Sequence, residues 1–116
     1  MANDSLVDLR QDLEVFARER DWDQFHSPKN LACALIVETA ELLEHFQWSE
    51  QGTQGLTPDQ QALVAEEIGD VLIYLIRLAD KLGIDPLEAA RRKLAVNAKK
   101  YPVHLAKGTS RKYTEF

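Results

Sequence analysis

Residues 27 to 46 read S-P-K-N-L-A-C-A-L-I-V-E-T-A-E-L-L-E-H-F, and this stretch decides the architecture. Ser27 is suited to cap a helix and Pro28 to take its first position, where a missing N–H costs nothing. From there the chain runs to about Phe46 with no Gly and no further Pro, which predicts one long helix. It is apolar on nearly every side except at Glu38 and Glu41, which lie three residues apart and leave the helix from one face. Leu31, Leu35 and Leu42 flank that face. Burying two like charges among leucines is costly unless a cation neutralises them.

Working outward, Ser5 with Asp8 resembles a capping box, and Leu6, Leu9, Leu13 and Phe16 recur at helical spacing, so a first helix should end near Arg20. Trp22, Phe25 and His26 form an aromatic connector to Ser27. Residues 47–57, Q-W-S-E-Q-G-T-Q-G-L-T, read as a loop, and Thr57-Pro58 with Gln60 opens a third helix that should reach about Leu82. Gly83 is placed to end it. Asp85-Pro86 with Glu88 starts a fourth helix to Lys100, closed by Tyr101-Pro102. No segment alternates as a strand would. The expected fold is all-α, a four-helix bundle in a single domain over 1–102, followed by a basic C-terminal tail over 103–116. The tail is polar and is either disordered or laid across another surface. Because the middle two helices are apolar nearly all round, assembly as a homo-oligomer is expected.

The third helix repeats the acidic arrangement. Glu67 and Asp70 are three apart, with Leu63, Val71 and Tyr74 beside them. One such pair is more often a solvated helix face than a site. Two pairs, each set in an apolar stripe, point to four carboxylates facing one another, a set of oxygen ligands that suits a hard divalent cation such as magnesium completed by phosphates. A di-iron carboxylate bundle needs Glu-x-x-His, and neither pair ends in His. His45, four residues after Glu41, leaves iron disfavoured rather than excluded.

Composition narrows the partners. The chain has 116 residues and a net charge of −5, but residues 1–90 carry six Lys/Arg against eighteen Asp/Glu while residues 91–116 carry eight against one. An acidic body argues against nucleic-acid binding. The basic segment suits a small anionic ligand, or else it complements a helix C-terminus. Cys33 is the sole cysteine and reads as a small core residue, with no disulfide or Cys-based zinc site available. No run is long and apolar enough for a membrane helix, and no signal pattern opens the chain, so no membrane partner and a cytoplasmic location are expected.

The acidic motif, V-E-T-A-E over 37–41 and E-I-G-D over 67–70, resembles that of the all-α nucleoside triphosphate pyrophosphohydrolases, the MazG-like superfamily, whose pattern is EExxE followed by ExxD. ERDWDQFHSPKNL, ELLEHFQW, EEIGDVLIYL, NAKKYPVHLA and SRKYTEF extend the likeness to the dCTP pyrophosphatase branch over nearly the whole chain. The resemblance implies a magnesium-dependent hydrolase that attacks the α-phosphate of dCTP, or a modified dCTP, and releases pyrophosphate. It implies Glu38, Glu41, Glu67 and Asp70 as the metal and catalytic carboxylates, with Glu38 the leading candidate for the base. Lys93, Asn97 and Tyr101, at i, i+4 and i+8, match positions that contact phosphate or sugar, and a lysine with two neutral donors on one helix face suits a triphosphate. Trp22 and Trp48 match tryptophans that surround the base, Tyr74 joins them as a substrate contact, and Arg111 and Lys112 in the tail match a segment that would close over the site. A tetramer is implied ahead of a dimer. Two positions depart from the pattern: Val37 replaces a first Glu, removing one acidic group, and Leu13 stands where some members have His, which loosens selectivity at the base. The alternatives are the same fold acting on dUTP, other dNTPs or phosphoribosyl-ATP, and a helical interaction protein held together by a structural cation.

Overall fold

A computed structural model describes residues 5–48 and 55–116. In chain order they form α1 (Leu6–Glu19), a 3-10 turn (Asp23–Phe25), α2 (Pro28–Glu44), α3 (Pro58–Lys81), α4 (Pro86–Lys100), α5 (Val103–Ala106) and a 3-10 turn (Tyr113–Glu115), with no strand among the described residues. The fold is all-α. The four long helices expected from the sequence are present, and the loop expected over 47–57 falls partly on residues 49–54, outside the described residues. Two compact units divide after Ile84.

The ends of the helices follow from their residues. Ser5 and Ser27 each accept the N–H three residues on, at 3.0 and 3.2 Å. Thr57 and Gln60 make the reciprocal capping box, with both bonds present at 2.9 and 3.2 Å. The end of α3 is a Schellman turn: Ile84 N donates to Ala79 O at 2.9 Å and Gly83 N to Asp80 O at 3.1 Å, with Gly83 at φ +66. The end of α1 closes in the same way, Trp22 N on Ala17 O and Asp21 N on Arg18 O, but here a non-glycine residue, Asp21, takes the left-handed conformation at φ +56. Gln24 Nε2 steadies that turn by donating to the Asp21 carbonyl and carboxylate.

Within the first unit α2 packs along α3, and α1 against α3. The α2–α3 pair is antiparallel, since Glu38 in mid-α2 approaches Glu67 and Asp70, while His26, just ahead of α2, bonds Arg77 late in α3. Leu31, Val64, Ile76, Ala79 and Ala17 are buried between them. Arg10 of α1 bonds Asp80 of α3 at 3.2 Å and fixes the register of the third helix. The opposite faces of α2 and α3 stay open: Ile36 is 66% exposed, and Val37, Leu43, Ile68, Leu72 and Leu75 are exposed with it. The same uncovered side corrects the reading of Cys33 as a core residue, because it is exposed in the single chain.

In the second unit Asp85 accepts the N–H groups of Leu87 and Glu88 and starts α4. Residues 103–116 turn back on the end of that helix. Tyr113 and Phe116 each meet Tyr101 edge to face with ring centroids 5.9 Å apart, and Lys100 Nζ lies 4.7 Å from the centre of the Tyr113 ring.

Candidate active site

Helical spacing places Glu38 and Glu41 on one face of α2, and Glu67, Asp70 and Tyr74 on one face of α3. Antiparallel packing sets these faces together. One carboxylate oxygen from each of Glu38, Glu67 and Asp70 lies within 4.8 Å of the other two. Glu41 is close enough to hydrogen-bond Glu38 but is not one of the three that converge. The structure therefore brings Glu38, Glu67 and Asp70 to a point, with Glu41 beside them.

The electrostatics of this group are unfavourable as it stands. Burial, then the hydrogen bond and charge of Glu41, then Glu67 and Asp70, push the Glu38 carboxyl up to about 7. Glu38 Oε2 and Glu67 Oε2 are buried with no hydrogen-bond partner. Orphaned acceptors of this kind cost on the order of 1–3 kcal/mol each, and more when charged. A divalent cation removes both penalties at once. The donor set, all carboxylate oxygen, fits magnesium and not a soft metal.

The other residues expected at the site are each placed by their own elements. Trp22 sits where α1 gives way to the 3-10 turn, 43% exposed, with its ring edge on Phe16 at 5.7 Å and tilted against His26 at 6.2 Å. Trp48 follows α2 at its other end and is 88% exposed. Lys93 and Asn97 are on α4, Tyr101 caps it, and Arg111 and Lys112 lie between α5 and the last turn. These five belong to the second unit.

A second polar group escaped the sequence reading. Arg77 is 3% exposed, and its Nη2 donates to Asp23 Oδ1 at 2.8 Å and to His26 Nδ1 at 3.2 Å. Lys81 Nζ reaches the same Asp23 oxygen at 3.0 Å. Hydrogen bonds from Lys81 and then Arg77 hold the Asp23 carboxyl below its ordinary range. Burial first, and then the Arg77 charge, lower His26, as expected of a ring whose Nδ1 must accept. The sequence does carry one signal for it: Arg77 is the only Lys or Arg between Lys29 and Lys81, and it stands in an apolar stripe.

Known proteins bear on this geometry. The chain is similar to proteins named dCTP pyrophosphatase 1: the one from Homo sapiens is 48% identical over 114 residues, spanning 96% of this chain and 67% of that protein. The one from Mus musculus is 46% identical over the same shares. A solved pyrophosphatase structure from Archaeoglobus fulgidus superposes with a TM-score of 0.79 at 40% identity, covering 88% of this chain and 96% of that one. The MazG-like family model matches residues 34–116, which include all four acidic positions, and the chain belongs to the MazG-like family.

Proposed function

We propose that this chain is a nucleoside triphosphate pyrophosphohydrolase that converts dCTP, or a modified dCTP, and water into dCMP and pyrophosphate, with magnesium as cofactor. The observation that carries this reading is the convergence of Glu38, Glu67 and Asp70 oxygens within 4.8 Å, two of those side chains keeping a buried oxygen without a donor. The identity to dCTP pyrophosphatase 1 over nearly the whole chain supports the choice of substrate.

Glu38, Glu67 and Asp70, with Glu41 beside them, would hold the cation. When bound, it neutralises phosphate charge and polarises the α-phosphorus. Glu38, in contact with the other carboxylates, is the leading candidate to take the proton from the attacking water. The water oxygen bonds to the α-phosphorus as the bridge to the β-phosphate breaks, and pyrophosphate leaves. Lys93, Asn97 and Tyr101 are assigned to phosphate and sugar, Trp22 and Trp48 to the base, Tyr74 to substrate contact, and Arg111 and Lys112 to closure over bound substrate.

The open apolar faces of α2 and α3, with Ile36 and Leu43 each about two-thirds exposed, support assembly into a homo-oligomer, a tetramer ahead of a dimer. Among the described residues no helix is long and apolar enough to cross a membrane, and the acidic body does not favour nucleic acid. A cytoplasmic location is part of the same proposal.

Purified protein assayed against a panel of nucleoside triphosphates, with and without magnesium, tests the reading. Magnesium-dependent pyrophosphate release from dCTP is expected. Orthophosphate release, or preference for dUTP, another dNTP or phosphoribosyl-ATP, would reassign the cleavage site or the substrate. No turnover of any nucleotide would favour a structural cation in an interaction protein.

A further inference from the structure

Arg77 lies seven residues beyond Asp70 on the same face of α3, a rise of about 10 Å along the helix axis. It is nearly fully buried, and its Nε has no hydrogen-bond partner. A buried ion pair of this kind is weak evidence for stability, since a well-packed apolar side chain of similar volume often serves as well. Its geometry does something an apolar side chain does not. One nitrogen, Nη2, spends its two hydrogens on Asp23 and His26, which lie on either side of Phe25 in the connector between α1 and α2. Arg77 Nη1 faces Asp80 at 3.8 Å, and Asp80 is in turn held by Arg10 of α1. The connector is thus tied to α3 through both Asp23 and His26, and α3 is tied to α1 through Asp80.

Trp22 opens that connector, and the ring contacts found for it are with Phe16 and His26. Its backbone N–H is fixed by Ala17, and His26 is one of these two ring contacts of an indole that is 43% exposed. From Arg77 through His26, and through Asp23 next to Trp22 in the chain, we infer that Arg77 is a positioning residue that fixes the Trp22 indole at a set distance along α3 from the carboxylate cluster. Its partners are Asp23, His26 and Asp80, none of them a carboxylate of the cluster. Its action is on base recognition, and in that respect the inference rests on the nucleotide reading given above.

The test separates the two readings because one arm needs no catalysis. Trp22 and Trp48 are the only tryptophans, so Trp48→Phe leaves Trp22 as the sole indole reporter. In that background Arg77→Met should raise the acrylamide quenching constant of Trp22 about twofold or more and lower its anisotropy, with Arg77→Lys intermediate through a single donor to Asp23. Unchanged quenching and anisotropy would overturn the positioning role whatever the substrate. In the otherwise wild-type protein Arg77→Met should raise KM for dCTP at least tenfold while kcat changes less than threefold. If KM and kcat both stay at wild-type values while only the melting temperature falls, Arg77 is a packing residue and the inference fails. Should Arg77→Met not fold, Asp23→Asn, at a half-exposed position, should show the same KM and quenching changes in smaller degree, and their absence overturns the proposal equally.

Discussion

Glu38 and Glu67, on the facing sides of antiparallel α2 and α3, each bury a carboxylate oxygen, Oε2, that no donor satisfies, and Asp70 completes the cluster within 4.8 Å. Carboxylates packed in this way repel one another in the bare chain. That repulsion is the common origin of the first two predictions.

Glu67→Gln and Asp70→Asn should each lower kcat for dCTP by at least about 100-fold at saturating magnesium, on the scale of lost charge stabilisation. Removing a charge also relieves repulsion, so the metal-free variants should melt no lower than wild type. Steady-state kinetics and thermal melts in chelator check both halves. Near-wild-type turnover in both variants would sink the metal assignment.

The raised Glu38 carboxyl links stability to pH. Its value is about 7 in the fold against 4.5 for the ordinary group, so the native state holds this proton more tightly than the unfolded chain does. The stabilisation is complete below pH 4.5 and is lost as pH rises through 7. Metal-free protein should therefore have a higher urea midpoint near pH 5 than near pH 8, added magnesium should recover the loss at the higher pH, and Glu38→Gln should flatten the profile. A wild-type profile that does not differ from that of Glu38→Gln would exclude Glu38 as its source.

Lys93→Ala should raise KM for dCTP by about one to two decades, the worth of a lost charged hydrogen bond of about 1.5–3 kcal/mol. Circular dichroism should be unchanged, because Lys93 is exposed on α4. Unaltered kinetics would return this helix face to solvent.

Trp22 and Trp48 flank α2 at opposite ends, and a helix of 17 residues rises about 25 Å. If both stack on one base, they come from different subunits. Trp22→Ala and Trp48→Ala should each weaken dCTP binding by about 1–3 kcal/mol. Mixing the two weakened variants and letting them exchange subunits should restore tight binding in a fraction of the sites. No recovery after verified exchange would mean that the base is held within a single chain.

Much of the fold was legible because the forces that shape a helix are local. Ser27-Pro28, Thr57-Pro58-Asp59-Gln60 and Gly83 act within a turn or two of themselves, and the helices begin and end beside them. The paired spacing of Glu38 with Glu41 and of Glu67 with Asp70 likewise survives in the structure as two helix faces. What the chain order could not contain was which of these carboxylates meet. That was decided by the antiparallel register of α2 on α3, which draws Glu38, Glu67 and Asp70 to a point and leaves Glu41 to the side. Cys33 was misplaced for the matching reason: an apolar neighbourhood in sequence does not say which face of a helix finds a partner. The partners of Arg77 were hidden on the same ground, since Asp23 and His26 lie 54 and 51 residues away in the chain. Periodicity and capping report contacts made within a few residues, whereas a buried charge finds its counter-ion only after the helices have docked.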